Sequence, residues 1–215
     1  MKYLSLFFIF HLFIINLSCK EETVDPFIAE IEQFKKQTTL QFKGNVNSQD
    51  VYWRFDNWDN GIGAAFESSW RASNDSTIQT RNFAIYDYEL REDLTLLRIF
   101  SPAFSIMDSY ENKRSIFDVG EKKFRLVDDS IFDGFTIQAN IDSTVFITNN
   151  GSQEGSFFEI IKNEEVLPEH AEQPDNKKIR IWILVSCNLY EYGGNKIGRI
   201  ENGRFIAEVL IDWNG

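Results

Sequence analysis

The sequence predicts a mainly β protein: an antiparallel β-sandwich or barrel of about ten strands, with one short N-terminal helix. Three observations lead there. After Thr38 the hydrophobic residues recur with a period of two, the mark of half-solvated antiparallel strands rather than buried parallel ones. Turn residues interrupt the alternating runs at close spacing,. The 215 residues are 43% hydrophobic and 26% charged, the balance of one soluble globular domain and not of a disordered chain.

The elements follow in order. Asp25 offers a helix cap and Pro26 fits the first helical position,. Phe27, Ile28, Ile31 and Phe34 share one face, and Lys35 and Lys36 suit the C-terminal end of the dipole,. This helix is expected to cover an open end or edge of the β domain. Then Ile62, Ala64, Phe66 and Trp70 alternate with Gly63, Ala65, Glu67 and Ser69. Ile78, Ala84, Tyr86, Tyr88 and Leu90 share one parity of the next run. Phe135, Ile137, Ala139 and Ile141 alternate with Thr136, Gln138 and Asn140. The longest inward row is Ile179, Ile181, Ile183, Val185, Cys187 and Leu189, and Phe205, Ala207, Val209, Ile211 and Trp213 form the last.

Turns are expected at Asn57 to Gly61, Ser73 to Asp75, Val119-Gly120, Asp133-Gly134, Asn149 to Gly151 and Gly193-Gly194. Asn202-Gly203 predicts a type I′ hairpin between Lys196–Glu201 and Arg204–Asp212, because both central residues of that turn need positive φ. Asn163 to Lys178 carries Glu164, Glu165, Glu169, Glu172 and Asp175 with two prolines and little to bury. It is expected to be a long loop, either a solvated connection or a binding loop.

Lys and Arg number 22 against 33 Asp and Glu, a net charge of −11. That speaks against nucleic acid as a partner, since a polyanion needs a basic surface. Two Cys and two His exclude a zinc ribbon or a disulfide framework.

The first residues read as an address. Lys2 precedes an apolar run from Tyr3 to Ile15, broken only by Ser5 and His11. As a helix that run reaches about 20 Å, short of a hydrocarbon core of about 30 Å, and it suits a signal peptide. Asn16-Leu17-Ser18-Cys19 follows. Ser18-Cys19 resembles the lipobox of bacterial lipoproteins, with Asn16 and Leu17 standing where that motif usually has an aliphatic and a small residue. The resemblance implies a signal peptide over residues 1–18, diacylglycerol on Cys19 and a tether over 19–25, ahead of the single β-rich domain read over 26–215; the other reading is an ordinary secretory signal that happens to contain a cysteine,. Such an anchor holds permanently, at about 0.8 kcal/mol per buried CH₂. Lys20-Glu21-Glu22 resembles the Bacteroidetes signal that sends lipoproteins to the outer face of the outer membrane; the other reading is a solvated tether. Ser156-Phe157-Phe158, Cys187-Asn188-Leu189-Tyr190 and Asn202-Gly203-Arg204-Phe205 are similar to the closing part of uncharacterised Bacteroidetes lipoprotein families. That similarity bears on fold and location.

Chemistry is harder to place. Cys187 sits on the apolar parity of its strand, where a thiol is inert packing, and His170 lies in the acidic loop. Asp56-Asn57-Trp58-Asp59-Asn60-Gly61 is rich in oxygen ligands, yet Trp58 stands where a calcium loop needs one. No catalytic residue, metal site or cofactor is singled out. Many carboxylate pairs are conceivable for a hydrolase. Tyr52, Trp53, Phe55, Trp58 and Trp70 form an aromatic cluster. Trp53 and Trp70 are expected in the core, whereas Trp58, with Asp56, Asp59 and Asn60, is the candidate ligand-binding turn.

The expected protein is therefore a non-enzymatic lipoprotein on the outer-membrane surface. Its partners are the membrane, through the lipid, and a glycan or protein outside the cell. The alternatives are a carbohydrate-binding accessory to polysaccharide uptake, a carboxylate-dependent hydrolase, and a structural or assembly subunit.

Overall fold

The computed structural model describes residues 25–55, 62–71, 77–87, 94–126, 133–142, 144–166 and 177–212. The chain divides into two compact units, Met1–Gln37 and Thr38–Gly215, so the division falls after the N-terminal helix. That helix, α1 (Pro26–Phe34), starts as the sequence indicates: the Asp25 carboxylate accepts from Phe27 N–H at 2.9 Å, with Pro26 in the first turn. Of its apolar face only Phe34 is buried, while Phe27 and Ile28 are exposed.

The second unit is mainly β. Among the described residues its strands are β1 (Gln41–Val46), β2 (Gln49–Arg54), β3 (Ile62–Arg71), β4 (Ile78–Asp87), β5 (Leu94–Phe100) and β6 (Phe104–Ser105), followed by β7 (Gly120–Lys122), β8 (Thr136–Ile141), β9 (Thr144–Ile147), β10 (Phe157–Val166), β11 (Lys177–Tyr190) and β12 (Lys196–Asp212). They form one sheet of order β2-β1-β12-β11-β9-β8-β5-β4-β3, with β10 and β7 branching from β11 and β6 pairing β4. All strand pairs are antiparallel. The sheet curls onto itself in a barrel-like way. Phe83 of β4 meets Phe205 of β12 with ring centroids 5.8 Å apart, and Arg81 Nη2 donates to the Ile211 carbonyl at 3.2 Å.

A second helix, α2 (Tyr110–Ser115), joins β6 to β7. Its sequence signal is local: the Ser109 hydroxyl accepts from Asn112 N–H at 3.2 Å, Glu111 stands in the first turn, and Lys113 and Arg114 in the last,.

The inward rows match the alternation. Ile179, Ile181, Ile183, Val185, Cys187 and Leu189 of β11 stand beside Phe205, Ala207, Val209 and Ile211 of β12 in one buried core, which Phe135, Ile137 and Ala139 share. Trp53 packs there against Phe42, 2% exposed. In β4 Phe83 and Ile85 enter this cluster, while Ala84, on the other parity, is buried outside it and Tyr86 is half-buried. Trp213 lies outside the described residues.

Asn202-Gly203 is not a hairpin. It lies inside β12, where the register jumps on both neighbours: Lys43↔Arg204 is followed by Asn45↔Glu201, and Val185↔Gly203 by Cys187↔Ile200. Asn202 takes φ 51, and its N–H donates to the Ser186 hydroxyl at 3.1 Å. Ser186 is the residue opposite the bulge, so the unpaired donor is satisfied by a side chain. Gly203 is required for approach: a Cβ there would sit 2.9 Å from the Val185 carbonyl oxygen, and one on Gly44 2.9 Å from Gly203 Cα. The positive-φ two-residue turn is instead Asn47-Ser48, at φ 50 and 67, between β1 and β2,. The hairpin joining β11 to β12 closes over Glu191–Asn195 with Gly194 at φ 80.

The expected long loop Asn163 to Lys178 is also shorter. Asn163 to Val166 extend β10, pairing with Ile181 to Lys178. Glu164 faces Arg180, whose other side holds Glu208 at 2.7 Å. Two strands rich in charge are stable here because opposite charges stand across the ladder.

Where β11 leaves β10 for β9, a side chain stands in for a strand. The register runs from Phe157↔Ser186 to Tyr190↔Ile147, which leaves Asn188 between. Gln153 Oε1 accepts from Asn188 N–H at 2.9 Å, while Gln153 Nε2 donates to the Asn188 carbonyl at 2.9 Å and to the Thr148 carbonyl at 2.6 Å. The amide reproduces a backbone bridge.

Candidate functional site

Of the residues singled out by sequence, Cys19, Lys20, Glu21, Glu22, Asp56, Trp58, Asp59, Asn60 and His170 lie outside the described residues. Trp70 lies in β3, and its side chain is likewise outside them. Tyr52 and Trp53 point to opposite faces of β2, Tyr52 exposed and Trp53 in the core. Cys187 is a free thiol, fully buried, and burial pushes its pKa up to about 12. A thiol so placed is packing, not a nucleophile. Among the described residues, no group of three or more His, Cys, Asp or Glu is placed to hold a metal ion.

Sequence reasoning missed the outward face of β4, β5, β8 and β9. Directly paired residues share a face, and Leu97, Ile99, Ile85, Ile137 and Ala139 fill the core. Their neighbours must therefore point outward. The register sets Ala84, Arg98, Gln138 and Ile147 in one row, and Tyr86, Leu96, Asn140 and Val145 in the next. Phe100 stands two residues from Arg98 on the same face, with the Arg98 guanidinium carbon 5.9 Å from its ring centroid.

Arg98 is the unusual member. It is half-buried on a sheet face, and burial lowers its pKa from the ordinary arginine value with no charged neighbour offsetting this. Its Nε is buried without a partner, and among the described residues its guanidinium meets no hydrogen-bond acceptor. Arginines at this depth are ordinarily paired: Arg180 has Glu208, and Arg114 has Asp118 and Glu165. Beside it, Gln138 Nε2 donates to Asn140 Oδ1 at 3.0 Å. That bond fixes both amides and leaves Gln138 Oε1 and Asn140 Nδ2 without a partner among the described residues. The face thus presents a fork of cationic donors, one amide acceptor and one amide donor, bordered by Phe100, Leu96 and Tyr86. The only sequence signal was the polar parity Thr136, Gln138, Asn140; Arg98 sits in a run of apolar residues, Leu94 to Phe100, and attracts no notice there.

A second cluster lies where α2 meets β10. Tyr110 OH donates to Glu165 at 3.2 Å, and Lys177 Nζ lies 4.2 Å from the Tyr110 ring centroid. Burial, then the hydrogen bond to Glu165, raises the Tyr110 pKa. Every charge in it has a partner, so it fastens the helix to the sheet.

No protein-family model, curated protein or solved structure matches the chain.

Proposed function

We propose that the protein is a lipid-anchored binding protein on the outer surface of a bacterial outer membrane, acylated at Cys19 and displayed by Lys20-Glu21-Glu22. Its β domain holds an extracellular ligand without transforming it. The anchor half rests on the apolar run that ends at Ser18-Cys19. The binding half rests on one observation: the half-buried Arg98, whose guanidinium meets no acceptor among the described residues, stands beside the Gln138 and Asn140 amides, which bond to each other and leave one acceptor and one donor open. Its Nε is buried without a partner, and a ligand that supplies an acceptor adds a charge-assisted hydrogen bond there.

The test has two arms. Mass spectrometry of membrane-derived protein should find Cys19 only as an acylated N-terminal peptide; a soluble form beginning elsewhere overturns the anchor. Purified protein on arrays of extracellular polysaccharides and outer-membrane proteins should bind a ligand saturably and return it unchanged. Binding to nothing overturns the second half, and turnover of the ligand overturns its non-enzymatic part.

A further inference from the structure

We infer that the outward face around Arg98 recognises a carboxylate-bearing saccharide, with Arg98 taking the carboxylate and the amides of Gln138 and Asn140 taking ring hydroxyls. The inference rests on the binding role proposed above and names the ligand class of that same face. The guanidinium offers two parallel N–H donors in a plane, the match for a carboxylate. It is held in place: its Nε is buried, and the head lies beside the Phe100 ring at the range of a cation–π contact,. No carboxylate of the described protein reaches it, although the chain has 33 acidic residues against 22 basic ones. In so acidic a protein, an arginine with no acceptor among the described residues gains a partner from an incoming anion,.

The amides decide between a saccharide and a simple acid. Gln138 stands directly opposite Arg98 across the ladder, so their Cβ atoms are about 5 Å apart. Asn140 is two residues further on, about 7 Å along the strand. One acceptor and one donor at that reach suit the paired donor and acceptor of a hydroxyl, which can give and take at once. A fatty acid would leave both amides with nothing to bind. A peptide carboxy-terminus would present a run of backbone groups that pairs with a sheet edge, whereas this is a sheet face.

The probe is tetragalacturonate, titrated calorimetrically into the full chain beside its methyl ester, a neutral tetrasaccharide, acetate and a peptide ending in a free carboxylate. The acid should bind, and its methyl ester should bind at least about tenfold more weakly, because esterification removes the charge and one acceptor. Arg98→Ala should lower affinity about ten- to hundredfold. Arg98→Lys should recover only part of that, since an ammonium lacks the fork. Gln138→Ala should weaken the saccharide and leave acetate unchanged. Unfolding midpoints of the three variants control for folding. Equal binding of acid and ester, or an unchanged affinity in Arg98→Ala, overturns the inference while a bound neutral glycan keeps the binding role. Acetate or the peptide binding as well as the saccharide overturns the choice of saccharide. If none of the five ligands binds, this ligand class is wrong, and the wider array decides whether the binding role falls as well.

Discussion

Gln153→Ala should destabilise the β domain by about 2–4 kcal/mol. The size follows from what the side chain replaces. Its amide makes three hydrogen bonds, one from Asn188 N–H and one each to the Asn188 and Thr148 carbonyls. Asn188 is only 4% exposed, so water reaches its backbone poorly. Each stranded buried polar group costs about 1–3 kcal/mol, against about 1 kcal/mol where a solvent bond replaces the lost one. Two groups on Asn188 set the estimate: about 2 kcal/mol if each costs about 1, and about 4 if one is stranded at about 3 while water reaches the other; Thr148 adds little if water enters. For a chain of this size each kcal/mol moves the melting temperature by about 2–4 °C, so a fall of about 4–16 °C is expected by calorimetry. Hydrogen exchange should show the Asn188 amide losing protection before the rest of β11. Gln153→Glu separates hydrogen bonding from packing. Its carboxylate still accepts from Asn188 N–H but faces two carbonyl oxygens with no proton. The facing carbonyls should raise the variant's carboxyl pKa in the folded state, so the native form binds the proton more tightly than the unfolded one. Stability relative to wild type is then present at low pH and lost as pH rises through that folded pKa. A Gln153→Ala protein within about 0.5 kcal/mol of wild type, or a Gln153→Glu protein as stable as wild type at neutral pH, would refute the bridge.

The remaining predictions concern β11 and β12. Cys187, buried with its pKa raised to about 12 from 9.0, should be silent to a thiol reagent at pH 8 until the protein unfolds. Because the folded thiol holds its proton more tightly, its contribution to stability is complete below the unfolded pKa and is lost as pH rises from there towards about 12,; an alkaline unfolding series with Cys187→Ala as the flat reference checks the sign. At the bulge, Gly203→Ala should cost about 1–3 kcal/mol by urea unfolding, since its Cβ would meet the stiff, β-branched Val185 side chain at 2.8 Å and the Val185 carbonyl oxygen at 2.9 Å,. Asn202→Gly should be nearly neutral and Asn202→Val costly, because a β-branched residue resists φ 51,; equal stability of the two variants would count against an αL requirement there.

Much of the β architecture was written locally. Period-two alternation gave the inward rows of β8, β11 and β12, because a residue's side of a strand depends only on parity. Asp25-Pro26 marked the start of α1, since a cap is satisfied within one turn. What only the tertiary structure decided depends on neighbours distant in sequence. Asn202-Gly203 satisfies the chemistry of a turn and of a bulge equally; Ser186, Val185 and Gly44 on adjacent strands make it a bulge. β4 carries apolar residues on both parities, and contact with Phe205 chose Phe83 over Ala84 for the shared core cluster. Glu164 and Glu165 read as loop until Arg180 and Tyr110 are set across from them. Arg98 is the extreme case. An arginine's importance lies in whether an acceptor meets it, and that is a property of three-dimensional neighbours that no periodicity in one chain encodes.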